Sequence, residues 1–186
     1  MKRRDFITAA AATLATPNIL RAAAEVPFEL MEHLQPKEVR VQKKLGFQPG
    51  QIVVTTQAYF LYHMQDERNA IRYGVAVGKA GLNFKGDAYI KRKVEWPSWR
   101  PTQEMIERNP GYARYSDGMP GGPNNPLGSR ALYLYQNDRD TLFRIHGTNV
   151  PQSIGTPSSN GCIRMLNAHV EQLYAQIPLG TKVTVM

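Results

Sequence analysis

Apolar and polar residues alternate over much of the chain in the manner of short β-strands separated by turns. From residue 52 the segment IVVTTQAYFLYHM is rich in β-branched and aromatic residues, QDERN is polar, and AIRYGVAVG returns to apolar residues at alternate positions. A period of two residues is that of a strand. The sequence therefore predicts a hairpin over residues 52–78, and KAGLNFKGDAYIKRKVEW continues the same pattern.

The C-terminal part of the chain predicts two further strands, a short helix and a closing strand. ALYLYQ, NDRD and TLFRIH indicate strand, turn and strand, so His146 stands at a strand end. From Val170 onward apolar residues recur at i, i+3, i+4 and i+7, which is helical spacing, and Asn167 is the expected N-cap. GTKVTVM then closes the chain as a strand. Many strands and few helices, with no strand–helix alternation, predict a mainly β domain.

Residues 97–128 interrupt this pattern. Their six prolines and five glycines exclude a regular sheet interior. TQEMIERN predicts a short helix inside the segment, with Thr102 as its N-cap. The rest is expected to be a long shaped loop, for which two roles stay open: one wall of a functional cleft, with GGPNNPLG near the site, or a purely structural connection.

Length, composition and charge indicate one ordinary globular domain. The chain has 186 residues, 42% of them hydrophobic and 20% charged, which suits a single domain with a substantial core. Residues 25–48 are polar and are interpreted as a lead-in or linker outside that core. The net charge of +8 includes no block of five consecutive like charges, so nucleic acid is not an expected partner, and a basic surface suits any anionic polymer.

The first 24 residues predict a removable export signal. Lys2, Arg3 and Arg4 precede an apolar stretch of small residues that ends in the A-x-A pattern at residues 22–24. RRDFI has the twin-arginine arrangement, which is typical of export to the periplasm. The alternative is a membrane anchor. The apolar run is broken by PN at residues 17–18 and is shorter than the roughly 20 residues that span a bilayer. We therefore expect no membrane span after removal of the signal.

Cys162 is the only cysteine of the chain. In an oxidising compartment a lone cysteine has no intramolecular partner, so it is a buried inert thiol, an intermolecular link, a metal ligand or a reactive thiol. Zinc sites need three or four convergent ligands, and no second cysteine or carboxylate stands at ligand spacing. We expect no metal and no cofactor.

His146 is the histidine best placed to serve a reactive Cys162. A catalytic thiol needs a group that takes its proton, and histidine is the usual one. Cys162 follows His146 by sixteen positions, and the intervening loop, rich in Gly, Pro, Ser and Asn, lets the chain turn back. The Gly147 carbonyl is the nearest group to fix the imidazole tautomer, and Gly161 permits a turn that presents backbone N–H groups to an oxyanion. From these residues alone a small buried cysteine remains an alternative.

Several segments together resemble the L,D-transpeptidases that carry a YkuD domain, in their small exported Gram-negative form. They are IHGTN at 145–149, SSNGCIRM at 158–165, PGQIVV, YGVAVGKAG, EWPSW and GGPNNPLGSRALYLY. The resemblance covers residues 49–186. It implies a mainly β catalytic domain, sandwich-like or barrel-like, with one or two short helices and a long loop.

The resemblance also implies an activity. Cys162 would attack the amide between the third and fourth residues of a peptidoglycan stem tetrapeptide and release D-alanine. A diaminopimelate side-chain amine would then resolve the thioester to form a 3→3 cross-link. His146 would be the general base, oriented by the Gly147 carbonyl. A lipoprotein amine or water are other possible acceptors, water making the protein an L,D-carboxypeptidase or cross-link hydrolase. A non-catalytic wall-binding protein is a third alternative.

The remaining site residues follow from the same resemblance. Backbone amides around Gly161 and Cys162 would hold the oxyanion, and Ser159 and Asn160 would contribute to oxyanion or substrate binding. Arg164 would support the motif or bind the substrate carboxylate. Many relatives have histidine where this chain has Asn160, so we expect His146 rather than position 160 to carry the proton. Asparagine still donates and accepts hydrogen bonds there.

Overall fold

The computed structural model describes residues 28–79 and 84–186 of the chain. Within these ranges the strands are β1 (Lys37–Arg40), β2 (Ile52–Thr55), β3 (Phe60–Met64), β4 (Asn69–Gly74), β5 (Gly86–Glu95), β6 (Arg130–Gln136), β7 (Arg139–His146), β8 (Ile163–Arg164) and β9 (Lys182–Val185). The α-helices are α1 (Gln103–Arg108) and α2 (Asn167–Gln176), and short 3-10 helices span Glu32–Leu34, Lys43–Leu45, Pro110–Tyr115 and Pro151–Ser153. The mainly β prediction is confirmed.

The strands form one curled sheet in the order β1-β4-β3-β2-β9-β5-β6-β7-β8. Most neighbours are antiparallel, whereas β2 and β9, and β7 and β8, run parallel. Bridges from Ala76 to Arg164 and from Gly78 to Ser159 join the chain after β4 to the region of β8. The sheet therefore curls toward closure. Residues 160–163, which include Cys162, lie between the two bridged positions Ser159 and Arg164.

The predicted hairpin over residues 52–78 contains one strand more than its sequence indicated. The apolar segment 52–64 divides into β2 and β3 at a turn, where Ala58 donates its N–H to the Thr55 carbonyl and Tyr59 has a φ of +59°. β3 then pairs with β4 as predicted, with His63 opposite Ile71. A left-handed backbone conformation at a tyrosine leaves no trace in the pattern of apolar residues, so the sequence did not predict this turn.

The main core fills the interior of the curled sheet and is covered on one side by α2. It includes Ile52, Leu132 and Ile145 from the strands and Leu173 and Ile177 from the region of α2. The helical spacing predicted in this region is therefore confirmed. The predicted N-cap, Asn167, is wrong. Leu166 is the N-cap and makes no side-chain cap bond, and the Asn167 side chain makes tertiary contacts that are described below.

The expectation that residues 25–48 lie outside the core is wrong for the part that the structure describes. β1 pairs with β4, and Leu34 is 2% exposed. Leu34 packs in a second cluster with Leu30, Ala76 and Ile154. Two leucines in a polar segment give no periodic signal, yet they suffice to dock it on the sheet. Residues 25–27 and the predicted signal at 1–24 lie outside the described residues.

Residues 99–119, which we call the flap, form a loop with a narrow neck. Trp99 and Met119 exchange backbone hydrogen bonds of 2.9 and 2.7 Å. The flap contains α1, and Thr102 caps it as predicted, because its Oγ1 accepts the N–H of Met105 at 3.2 Å. Trp99 packs edge-on against Tyr112 and Tyr115, with ring centroids 5.3 and 5.9 Å apart. Among the described residues, no helix is long and apolar enough to cross a membrane.

Candidate active site

A cleft of about 820 Å³ lies between the flap and the end of the sheet where β7 and β8 meet. Five of the residues that the sequence singled out line it: His146, Ser159, Asn160, Cys162 and Arg164. The flap forms the opposite wall, and Asn124, Pro126 and Leu127 from GGPNNPLG contribute to the lining. Of the two roles considered for residues 97–128, the structure therefore favours a wall of the cleft.

His146 ends β7 and is 3% exposed. Its Nδ1 lies 2.6 Å from the Gly147 carbonyl oxygen, and because a carbonyl only accepts, Nδ1 carries the proton and Nε2 has the lone pair. Burial, followed by the positive charge of Arg164, lowers the pKa of His146 to about 3, against the raising effect of the Gly147 and Leu127 carbonyls. The imidazole is neutral at neutral pH.

The Cys162 side chain is partly exposed at the cleft. Its Sγ lies 3.9 Å from the Leu142 carbonyl oxygen, a weak contact, and within the described residues no hydrogen bond joins it to His146. Burial raises the pKa of the Cys162 thiol, and a backbone hydrogen bond at Arg144 and the charges of Arg144 and Arg164 oppose that effect. The resting group is therefore a thiol in a field that favours its anion.

The turn before Cys162 is held by Ser159. The Ser159 hydroxyl donates to the Cys162 carbonyl at 2.5 Å and accepts the N–H of Gly161 at 3.2 Å. Gly161 has a φ of +118°, a backbone conformation that glycine adopts readily and other residues rarely do. Its N–H is thus directed to Ser159 rather than into the cleft, which differs from the expected oxyanion role. The N–H of Cys162, for which the described residues provide no acceptor, remains available.

Arg164 and Asn160 differ in how firmly they are held. The Arg164 guanidinium is largely buried and donates to the Ser153 hydroxyl at 2.9 Å, while its buried Nε has no partner. No carboxylate of the described residues lies within 4 Å of it. Asn160 is exposed at the cleft and has no side-chain hydrogen bond to another described residue. Arg164 therefore offers an uncompensated positive charge to an anion in the cleft.

Two neighbours of the site were not found from the sequence. Arg144 lies two residues before His146 and forms a bidentate pair with Asp140, at 2.7 and 3.0 Å. Leu142 lies between Asp140 and Arg144 in a bulge of β7. Its φ is +62°, and 67% of its surface is exposed in the cleft. In this bulge one residue of β6, Leu134, lies opposite residues 141–143 of β7. The pattern TLFRIH gives no sign of it.

Comparison with known proteins agrees with this architecture. Residues 49–185 match the YkuD family model, described as an L,D-transpeptidase catalytic domain. The chain belongs to the L,D-transpeptidase YkuD family. It is 32% identical over 142 residues to a protein of Escherichia coli K12 named Probable L,D-transpeptidase ErfK/SrfK, a match that covers 73% of this chain and 43% of that protein. The chain thus spans less than half of this relative's length.

Two solved structures share the fold. A Brucella melitensis protein named Probable carnitine operon oxidoreductase caia is 52% identical, with a TM-score of 0.56 and coverage of 82% of this chain and 93% of that one. A cysteine-to-serine variant of an Enterococcus faecium L,D-transpeptidase is 16% identical, with a TM-score of 0.56 and coverage of 75% and 50%. At that identity the second similarity concerns the fold alone.

Proposed function

We propose that the protein is a peptidoglycan L,D-transpeptidase that uses Cys162 as nucleophile and His146 as general base. The observation that carries the proposal is the arrangement in one cleft of a thiol and a neutral imidazole whose Nδ1–H is engaged by Gly147. This leaves Nε2 as a proton acceptor. Membership of the family supports the reaction class.

The first step is proton transfer from Sγ to Nε2 as the thiol leaves its contact with the Leu142 carbonyl. A neutral imidazole of low pKa is a weak base by itself, but the new thiolate and imidazolium stabilise each other. The positive charges of Arg144 and Arg164 lower the free energy of the thiolate further. The thiolate then attacks the carbonyl of the third residue of a stem tetrapeptide.

The tetrahedral oxyanion accepts a hydrogen bond from the N–H of Cys162. His146 returns its proton to the amine of the leaving D-alanine, and a thioester on Sγ remains. The side-chain amine of a diaminopimelate on a second stem attacks the thioester and gives a proton to His146. The bond between the acyl carbon and Sγ breaks as the 3→3 cross-link forms, and the Cys162 thiolate takes the proton back from His146. Arg164 binds a substrate carboxylate, because its own charge has no carboxylate partner in the described part of the chain.

The N-terminal sequence supports a periplasmic location, where this substrate occurs. Residues 1–24 combine a basic start, a twin arginine and an A-x-A site, which together suit export of a folded enzyme. Fractionation of cells that express the full chain, with and without replacement of Arg3 and Arg4 by lysine, tests this part. Retention of the double variant in the cytoplasm is expected.

The activity is tested with purified protein and disaccharide-tetrapeptide, followed by mass spectrometry. We expect loss of alanine, a thioester on Cys162 and a cross-linked dimer. Cys162→Ala abolishes all three, and His146→Ala lowers kcat/KM by roughly 10²–10⁴-fold. His33→Ala, at an exposed histidine, is the matched control and retains activity. A tripeptide without dimer would instead identify water as the acceptor, and an unmodified thiol would exclude the proposal.

A further inference from the structure

Asn167, the first residue of α2, directs its side-chain oxygen away from the helix and toward two loops. Oδ1 accepts the N–H of Ser129 at 3.2 Å and the N–H of Thr148 at 2.9 Å. Ser129 precedes β6 and Thr148 follows β7, which are neighbouring antiparallel strands. One oxygen atom therefore ties together the two loops at the same end of the sheet, beside His146.

The backbone of both loops is shaped around this oxygen. A Cβ added at Gly128 or at Gly147 would collide with Asn167 Oδ1. Gly147 is held from a second direction, because its N–H donates to the Arg130 carbonyl at 3.0 Å. The close approach of backbone to side chain accounts for glycine at both positions, and it leaves the Gly147 backbone little freedom to rotate.

The bond from Thr148 to Asn167 acts on the atom that contacts His146. The N–H of Thr148 and the C=O of Gly147 belong to one peptide group, which is planar and rigid, with the two groups pointing in opposite directions. Fixing the N–H at Asn167 therefore fixes the direction of the carbonyl, whose oxygen lies 2.6 Å from His146 Nδ1. A continuous path of two hydrogen bonds and one peptide plane joins Asn167 to the imidazole.

We infer that Asn167 is a positioning residue for His146. It holds the Gly147–Thr148 peptide plane so that the carbonyl keeps the proton on Nδ1 and leaves Nε2 free to take the proton of Cys162. This inference rests on the proposed function, in which His146 is the base. Without the Asn167 oxygen, the peptide rotates toward other partners, and the imidazole loses the acceptor that selects its tautomer.

Two substitutions separate this role from a purely structural one. Asn167→Ala removes the acceptor and leaves two backbone N–H groups without it. Asn167→Asp has nearly the same shape and retains an oxygen at the same place, so it restores both bonds. Glu171→Gln is the matched control, because Glu171 lies one turn later on α2 and is exposed.

The primary measurement is the tautomer of His146, taken from long-range ¹H–¹⁵N correlations of ¹⁵N-histidine-labelled protein at neutral pH and assigned with His146→Gln. We expect protonation at Nδ1 in the wild type, Asn167→Asp and Glu171→Gln, and a mixture of tautomers in Asn167→Ala. In parallel, kcat/KM with disaccharide-tetrapeptide falls at least about 10-fold in Asn167→Ala, through kcat rather than KM. Asn167→Asp stays within about 3-fold of the wild type.

The inference is overturned if Asn167→Ala folds and keeps the single Nδ1–H tautomer, or if Asn167→Asp loses it. Should Asn167→Ala fail to fold, loss of the Nδ1–H tautomer in Asn167→Asp would still overturn the inference. The spectrum needs no turnover, so it also separates the two proposals. A tautomer that depends on Asn167 in a protein without transpeptidase activity would support the positioning and contradict the proposed function.

Discussion

Leu142 is a residue whose backbone conformation is unfavourable and whose side chain is mostly exposed. Its φ of +62° lies in the left-handed region, which costs a branched side chain about 1 kcal/mol or more. Asp140 and Thr141 maintain the bulge, since the Asp140 carboxylate accepts the N–H of Leu142 at 2.8 Å and the Thr141 hydroxyl donates to the Leu134 carbonyl at 2.6 Å. The bulge brings the Leu142 carbonyl to the thiol, so the strain is located at the site.

Replacement of Leu142 by glycine should therefore separate stability from activity. Relief of the left-handed strain is expected to raise the free energy of unfolding by up to about 1 kcal/mol. Loss of the side chain offsets little of this gain, because little apolar area is buried there. Loss of the apolar wall beside Cys162 is expected to lower kcat/KM several-fold. Thermal unfolding and steady-state kinetics measure the two effects.

Asn137→Gly is the matched control for Leu142→Gly. Asn137 also has a left-handed φ, of +49°, but it lies in the turn between β6 and β7 and does not line the cleft. It should gain stability without a change in kcat/KM. A Leu142→Gly enzyme that is less stable than the wild type, or fully active, would contradict the functional interpretation of the strain.

Single residues also show how far the sequence predicts the site. His146 and Cys162 were found because a strand end and a turn-rich loop are local signals. Asn167 was assigned to a helix cap, which is the local preference of asparagine, but two backbone N–H groups from distant loops take its oxygen instead. Such a contact depends on how β6, β7 and α2 pack, and no pattern near residue 167 reports that.

At the scale of elements, the segment before β2 supports the loop that leads to Cys162. The Leu34 side chain packs closely against Gly155, and the backbone of Gly74 leaves no room for a Cβ beside Leu34. Ile154 belongs to the same cluster. The family match begins at residue 49, so this contact joins the matched domain to residues that precede it.

Leu34→Ala should therefore affect the cleft as well as the fold. A buried leucine truncated to alanine costs about 2–5 kcal/mol of unfolding free energy. The cavity also frees the 151–161 loop, so kcat/KM should fall even at temperatures where the variant is fully folded. Urea unfolding and kinetics on the same samples distinguish the two losses.

Leu45→Ala is the control from the same segment. Leu45 is 52% exposed, and its truncation should change the free energy of unfolding by no more than about 0.5 kcal/mol. If Leu34→Ala were destabilised but fully active below its unfolding transition, the segment would contribute to stability alone. The sequence did not predict this contact, because the polar composition of residues 25–48 conceals two isolated buried leucines.

For the whole molecule, buried histidines determine how stability varies with pH. His63, His146 and His169 are buried, and burial lowers the pKa of each below its ordinary value. His169 has no partner for its buried Nδ1 and lies against the Tyr73 ring. In the unfolded chain these groups bind protons near pH 6.5, whereas in the folded protein they stay neutral to lower pH.

The folded protein should therefore lose stability as the pH falls below about 6.5, because the unfolded state then binds more protons. With a folded pKa of about 3, His146 alone accounts for about 2 kcal/mol of unfolding free energy between pH 7.5 and pH 5. The lowered pKa values of Asp66 and Asp87 act only at more acidic pH. Urea unfolding at half-unit steps from pH 8 to pH 5 measures the slope. His146→Gln should reduce that slope and His33→Gln, at an exposed site, should not. Equal slopes in all three proteins would show that folding does not lower the pKa of His146.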